Sequence, residues 1–357
     1  MSTTSSRSKA YLGGLLLLLS SIALLTGCAL DNPQSTFDTV GPVSQSQLNL
    51  FYWIFGTAVV VFVVVGTVLA YTTIRFRRKS PDDKPPQTHG NTPMEIGWTI
   101  VPVLLLAVVA VPTVLTIFDN ANTPEPGALT VDAVGRQWWF EFKYPHPTDP
   151  DEQVITANEL HIPVGEVVNI NLASRDVIHS FWIPKIAGKV DMVPNNSNTI
   201  WIKSDEAGEF YGQCAEFCGE AHALMKFRVV AQPKAEYDAW LLGQTAPAPN
   251  AVEPLAAKGQ ALFEGNDAGC WACHTISGSA KSRGSVGPNL THVASRGLIA
   301  AGIIENDQAG LRSWLTDPCE SKPGNTMCTG AAVYNNPDKA LDEEQISALV
   351  AYLRSLD

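Results

Sequence analysis

Long apolar runs are confined to the first 120 residues, and the rest of the chain alternates short apolar stretches with polar ones. The first run, Leu12 to Leu25, follows Arg7 and Lys9 and is short for a membrane span, the pattern of a secretory signal over residues 1–27. Residues 28–47 are polar and turn-rich and read as an external linker. Leu48 to Ile74 and Trp98 to Phe118 each exceed the roughly 20 helical residues that cross a bilayer. Between them stand Arg75, Arg77, Arg78 and Lys79, which by the positive-inside rule put the connecting loop in the cytoplasm. A cleaved signal also demands an external mature N-terminus, so both signs predict a transmembrane hairpin over 48–118 with everything after it outside. Pro102 and Pro112 lie within the second span, which is tolerated where neighbours satisfy the freed carbonyls.

From Leu129 the pattern shortens to LTVDAV, QWWFEFKY, EVVNINLA, TIWIKS and KFRVVA, separated by turn signals. Strands at this spacing predict a β-sandwich or barrel over 119–242, with any metal site on loops at one end. Val167, Ile170 and Leu172 do not alternate cleanly, so a two-faced sheet is not evident there. Residues 243–254, GQTAPAPNAVEP, form a linker with some extended stiffness, and 255–357 a small separate domain. That domain begins with a short helix candidate, Ala256 to Phe263. It ends in a clearer one, where Asp342 and Gln345 suit a capping box and Ile346, Leu349, Val350 and Leu353 share a face.

Charge narrows the partners. Residues 119–242 carry 18 Asp/Glu against 9 Lys/Arg, which argues against nucleic acid and suits a basic protein partner. The seven cysteines divide into Cys28 alone and the pairs Cys214/Cys218, Cys270/Cys273 and Cys319/Cys328, so no large disulfide framework is implied.

Two stretches carry chemistry. Gln213 to Met225, QCAEFCGEAHALM, sets Cys214, Cys218, His222 and Met225 close together, with His179 upstream as a second imidazole. Such soft ligands select copper, zinc or iron–sulfur centres. Cys270-Trp271-Ala272-Cys273-His274 has the CxxCH spacing of covalent haem attachment, with zinc or a redox dithiol as alternatives. Met327 is the only methionine after residue 225 and lies in a Pro/Gly-bearing loop able to reach a haem face. Histidine with methionine suits electron transfer. His292 is a second candidate ligand, better placed at the surface or the propionate side.

Several resemblances extend these readings. Leu25-Thr26-Gly27-Cys28 resembles a bacterial lipoprotein processing site, which implies lipidation of Cys28. CWACH, Gly287-Pro288-Asn289-Leu290, Met327 and the final helix resemble class I cytochrome c. That likeness implies an all-α domain in which the Pro288 carbonyl holds His274 and Arg296 meets a haem propionate. The family's frequent Met-Pro is Met327-Cys328 here, and with Cys319 nearby outside the cytoplasm a Cys319–Cys328 disulfide is expected to brace the methionine loop.

The CxxxCxxxHxxM spacing with distant His179 resembles the binuclear copper A site of cytochrome c oxidase subunit II, over residues 48–240. The resemblance implies a cupredoxin-like domain in which Cys214 and Cys218 bridge two coppers. His179 and His222 terminate the pair, and Met225 and the Glu216 carbonyl lie axial. It further implies that Trp138 receives electrons, that Glu95 stands at the mouth of a proton path, and that the Glu216 carboxylate binds magnesium at the subunit I interface. The family's acidic pair before the copper histidine is here Arg175-Asp176. Together these imply a caa3-type oxidase subunit II with a fused cytochrome c, in a bacterial cytoplasmic membrane with both termini and both metal domains outside. Its partners would be subunit I and the other oxidase subunits, with a cytochrome c or bc1-type complex as donor. Oxygen reduction and proton pumping would lie in subunit I. The alternatives are the copper A subunit of a nitric oxide reductase and a membrane-tethered electron carrier without a catalytic partner.

Overall fold

The computed structural model describes residues 32–84, 86–123 and 125–357; the expected signal segment and Cys28 lie outside them. Two long helices, α1 (Pro42–Arg75) and α2 (Thr92–Ala121), form the predicted hairpin, their apolar side chains largely exposed as lipid contact requires. Asn91 caps α2, its side chain accepting from the Met94 amide at 3.3 Å. Pro112 has no N–H to offer the carbonyl of Val108, and the Trp53 indole of α1 donates to that oxygen instead, at 3.3 Å. The freed carbonyl is satisfied across the hairpin, as a kink-tolerant membrane helix needs. Nearer the outer end, Ser46 and Asn120 exchange side-chain hydrogen bonds of 3.0 and 3.1 Å.

The start of α1 departs from the expected linker. The helix begins at Pro42, not Leu48, and the segment before it is stitched to the β domain. The Val40 amide donates to the Lys185 carbonyl and the Val40 carbonyl accepts from Asp205, both at 2.8 Å, while Lys185 pairs with Asp38. Val40 and Val43 are buried in the β-domain core. Polar composition concealed this, because two valines are too few to register as an apolar run.

Ten strands follow. β1 (Leu129–Arg136), β2 (Trp139–Pro145), β3 (Gln153–Ala157), β5 (Val168–Ser174) and β8 (Asn198–Ile202) form one sheet in the order β3-β2-β1-β5-β8. β4 (Glu159–Pro163), β6 (His179–Trp182), β7 (Lys189–Met192), β9 (Gly208–Cys214) and β10 (Lys226–Gln232) form the other in the order β4-β10-β9-β6-β7. β5 does alternate: Val168, Ile170 and Leu172 point inward, and Val167 belongs to the preceding turn. Between the sheets lie Phe140, Phe142, Phe181 and Phe227, with Phe227 centred 4.7 Å from Phe140 and 4.8 Å from Phe181. Gly212 makes room for them, since a Cβ there would meet Phe227 Cζ at 2.2 Å.

After α3 (Lys234–Gly243) and the linker, α4 (Pro254–Phe263) opens the C-terminal domain. A short hairpin of β11 (Leu298–Ile299) and β12 (Ile304–Glu305) precedes α5 (Gln308–Thr316). The small helices α6 (Pro318–Ser321), α7 (Thr326–Gly330) and α8 (Ala332–Asn335) come next. The domain closes with α9 (Glu343–Arg354), whose Asp342–Gln345 capping box is formed. Ile346, Leu349, Val350 and Leu353 of α9 pack with Phe263, Leu311 and Leu315 in a core separate from the sandwich.

Candidate metal centre and haem cavity

The soft-ligand loop is held between three strands. β9 ends at Cys214, β10 begins after Met225, and β6 supplies His179. The Cys214 amide donates to the Met225 carbonyl at 2.9 Å, and Ala215 to Ser180 at 3.1 Å, so sheet pairing itself brings the ligands together. The Cys214 and Cys218 sulfurs are 3.8 Å apart. His179 Nδ1 lies 3.9 Å from Cys214 Sγ and His222 Nδ1 3.5 Å from Cys218 Sγ. Met225 Sδ is 3.9 Å from Cys218 Sγ, and the Glu216 carbonyl is 3.3 Å from Cys214 Sγ. All six donors expected from the sequence thus converge, with Cys214, Cys218, His179 and Met225 buried.

Two thiols this close share a proton. The Cys218 hydrogen bond holds the Cys214 thiol well below the usual thiol range, against the opposing effect of burial, and the same bond pushes the Cys218 thiol upward. Burial opposes a charged His179, but its bonds to Asp176 and Cys214 outweigh that and its net shift is upward. Asp176 Oδ1 lies 2.7 Å from His179 Nε2, leaving Nδ1 to face the sulfurs. A carboxylate fixing the far nitrogen of a ligating histidine orients the ring and raises its basicity. Two thiolates, two imidazoles, a thioether and a carbonyl within bonding range of a small volume fit a copper pair.

Across the domain boundary lies a cavity of about 300 Å³. Cys270, Cys273, His274 and Met327 line it, together with Trp138 and Trp139 of the β domain. His274 Nδ1 donates to the Pro288 carbonyl at 2.8 Å. Gly287 lies against the ring, where a Cβ would meet His274 Cε1 at 2.5 Å. Burial lowers the pKa of His274 and pushes the Cys270 thiol up to about 12. Arg296, lowered to about 10 by burial, bonds the Asn289 carbonyl with Nη2 at 2.5 Å, while its buried Nε has no partner among the described residues. An apolar cavity with an imidazole, a thioether, two thiols and an unsatisfied guanidinium fits a haem.

Three family models match: cytochrome c oxidase subunit II, transmembrane domain, over residues 33–115; its periplasmic domain over 129–232; and cytochrome c over 256–357. Cytochrome c oxidase subunit 2 of Alkalihalophilus pseudofirmus is 39% identical over 345 residues, covering 93% of both chains. The chain belongs to the cytochrome c oxidase subunit II family. The Bacillus subtilis protein of the same name is 34% identical over 96% of this chain and 97% of its own. The periplasmic domain of subunit II from Bradyrhizobium japonicum is 30% identical, covering 34% of this chain and 96% of that one with a TM-score of 0.31. As an oxidase subunit II carrying a cytochrome c domain, this is a membrane protein and an electron-transfer subunit of a haem–copper oxidase. Its two soluble domains imply copper A and haem c.

The other expected positions of this subunit II fall as follows. Glu95 is exposed in the first turn of α2. Near the Glu216 carboxylate, only the Phe217 amide bonds it, at 3.2 Å, and among the described residues the one cluster of metal-ligating acids, thiols and imidazoles is His179, Cys214 and Cys218. Cys319 and Cys328 are bonded, with Cα atoms 5.5 Å apart, just before and inside the helix that carries Met327. His292 is buried, not at the surface, and does not line the cavity, its Nε2 meeting the Ala246 carbonyl of the linker at 3.0 Å.

Sequence reasoning missed several working groups. Asp176 stands three residues before a ligand histidine, a spacing that is itself a signal. Gln137, whose Nε2 donates to the Cys218 carbonyl at 2.8 Å, gave none. Nor did Glu159 and Lys322, whose shortest bonds reach the opposite domain.

Proposed function

We propose that this subunit carries electrons from an external donor, a cytochrome c or bc1-type complex, towards subunit I of a caa3-type oxidase. In this reading residues 1–27 are a lipoprotein-type signal, Cys28 is lipidated, 48–118 anchor the chain, and both metal domains lie outside the cytoplasmic membrane. When bound, haem and the copper pair supply reversible one-electron chemistry. Cys270 and Cys273 would hold the haem covalently, His274 and Met327 would be the ligands to its iron, and Arg296 would meet a propionate. The Pro288 carbonyl fixes the His274 ring so that Nε2 remains for the metal. Cys214, Cys218, His179, His222, Met225 and the Glu216 carbonyl would hold copper A, on a loop set between three strands. The Cys319–Cys328 bridge limits the travel of the Met327 loop. Glu216 would lend its carboxylate to magnesium with help from subunit I, because among the described residues no second acid, thiol or imidazole clusters with it. Glu95, exposed at a membrane boundary, waits for a proton path that subunit I would complete.

The observation that carries this reading is Trp138. Its ring lines the haem cavity, and its indole Nε1 donates at 3.0 Å to the carbonyl of Cys218, a copper ligand. One aromatic residue therefore connects the two sites. Electron paramagnetic resonance and a haem spectrum of the purified oxidase test the assignment. A multi-line mixed-valence copper signal with a covalently bound haem is expected. A spectroscopically silent, zinc-loaded thiolate site would overturn it.

A further inference from the structure

Trp138 is gripped from both domains. Its indole bonds the copper loop, and its backbone carbonyl accepts from Lys322 Nζ of the haem domain at 2.5 Å. Lys322 is 3% exposed, makes a second bond to the Ala300 carbonyl at 3.3 Å, and among the described residues has no carboxylate partner. Further along the same interface the charge and the domains are exchanged. Glu159 of β4, 6% exposed, accepts from the Gly297 and Leu298 amides at 2.8 and 3.2 Å. Between these points the Lys226 amide donates to the Ala301 carbonyl at 3.1 Å, and Trp139 and Ala157 pack on Ala301.

A linker alone makes the encounter of two domains local, with effective concentrations of roughly millimolar. It does not require buried charge. A buried ion is costly unless hydrogen bonds replace its water. Glu159 also has His161 Nε2 of its own domain at 3.8 Å and Lys322 the Ala300 carbonyl of its own, but the shortest bonds of both ions cross to the other domain. Separation would leave Gly297 and Leu298 without their acceptor and Lys322 with one carbonyl fewer. We propose that Glu159 and Lys322 are positioning residues that latch the haem domain onto the copper domain, so that the fused cytochrome is a resident donor and not a swinging one. Lys322 acts through Trp138: by holding its carbonyl it fixes the ring between the haem cavity and Cys218. The external donor then reduces a docked haem domain, and no undocking occurs within a turnover.

The inference rests on the haem and copper assignment, and its test separates the two. In the complete oxidase, amide hydrogen exchange is followed at Gly297 and Leu298 and in 136–139, beside flash-initiated reduction of copper by haem at increasing viscosity. In the native protein, slow exchange and viscosity-independent transfer are expected. Glu159→Ala and Lys322→Met should each speed exchange at the interface about tenfold or more and make electron transfer slower and viscosity-dependent, because buried partners are left unsatisfied. Glu159→Gln, which keeps an acceptor oxygen, should fall between and is the variant to use if the others do not fold. Viscosity-dependent transfer in the native oxidase, or unchanged exchange in all three variants, overturns the latch. Absence of the haem or copper spectrum would overturn the function instead, while the exchange measurement would still decide the latch.

Discussion

The copper loop and the haem cavity solve opposite problems. In the copper loop the ligands already hold one another: sulfur meets sulfur at 3.8 Å, Asp176 clamps His179, and the sheets supply the rest. The haem cavity is a shell of about 300 Å³ whose polar lining includes Arg296 with an unpartnered Nε. A metal pair added to the first completes a site on a folded scaffold. A macrocycle added to the second completes the core of its domain. Stability should therefore depend on the cofactor in one domain and hardly at all in the other.

Preventing haem attachment gives the largest expected effect. At about 24 cal/mol per Å³, an empty cavity of this size costs roughly 7 kcal/mol, comparable to the whole stability of a small domain. Cys270→Ser/Cys273→Ser should abolish the cooperative melting of residues 255–357 while the β domain still unfolds in one transition and still loads copper. Calorimetry with circular dichroism reads both. Equal damage to both domains would break the contrast. Next comes Gly287→Ala, which places a methyl 2.5 Å from His274 Cε1, against a ring already fixed by Pro288. Overpacking of this kind costs about 1–3 kcal/mol, and the haem domain's melting temperature should fall with a changed haem spectrum. Cys319→Ser/Cys328→Ser opens a loop of nine residues' separation, for which chain entropy gives about 2–3 kcal/mol. It should lower haem-domain stability and leave the copper signal unchanged.

The same contrast explains what could be read in advance. Cys214, Cys218, His222 and Met225 lie on one loop, so their spacing is visible in the sequence, as is the CWACH run. His179 comes from another strand, so only its presence upstream and the predicted β fold, not a local spacing, connected it to them. Residues 40–47 read as linker because the residues that bury Val40 and Val43 lie about a hundred positions or more away in a domain of different pattern. β5 looked irregular because one turn valine, Val167, is as buried as the strand's inward face. Glu159, Lys322 and the second contact of Trp138 had no local pattern at all. Each makes sense only when two domains that look independent in sequence are brought face to face.

Asp176 offers the finest test, because it asks how much of the copper site is built by the fold and how much by one oriented ring. His179 is fully buried and its Nε2 has Asp176 Oδ1 at 2.7 Å. Asp176 also caps its own loop, accepting from the Gln137 and Val177 amides at 2.7 Å each. Asp176→Asn keeps the size and one acceptor oxygen, but removes the charge that raises the basicity of His179. Partners of this kind typically change metal affinity by about 10- to 100-fold, roughly 1.4–2.8 kcal/mol. Competitive copper titration should show a loss in that range, with β-domain melting unchanged before copper is added. A loss confined to melting would make Asp176 a loop cap only, and the site would then owe its geometry to the strands and not to the carboxylate.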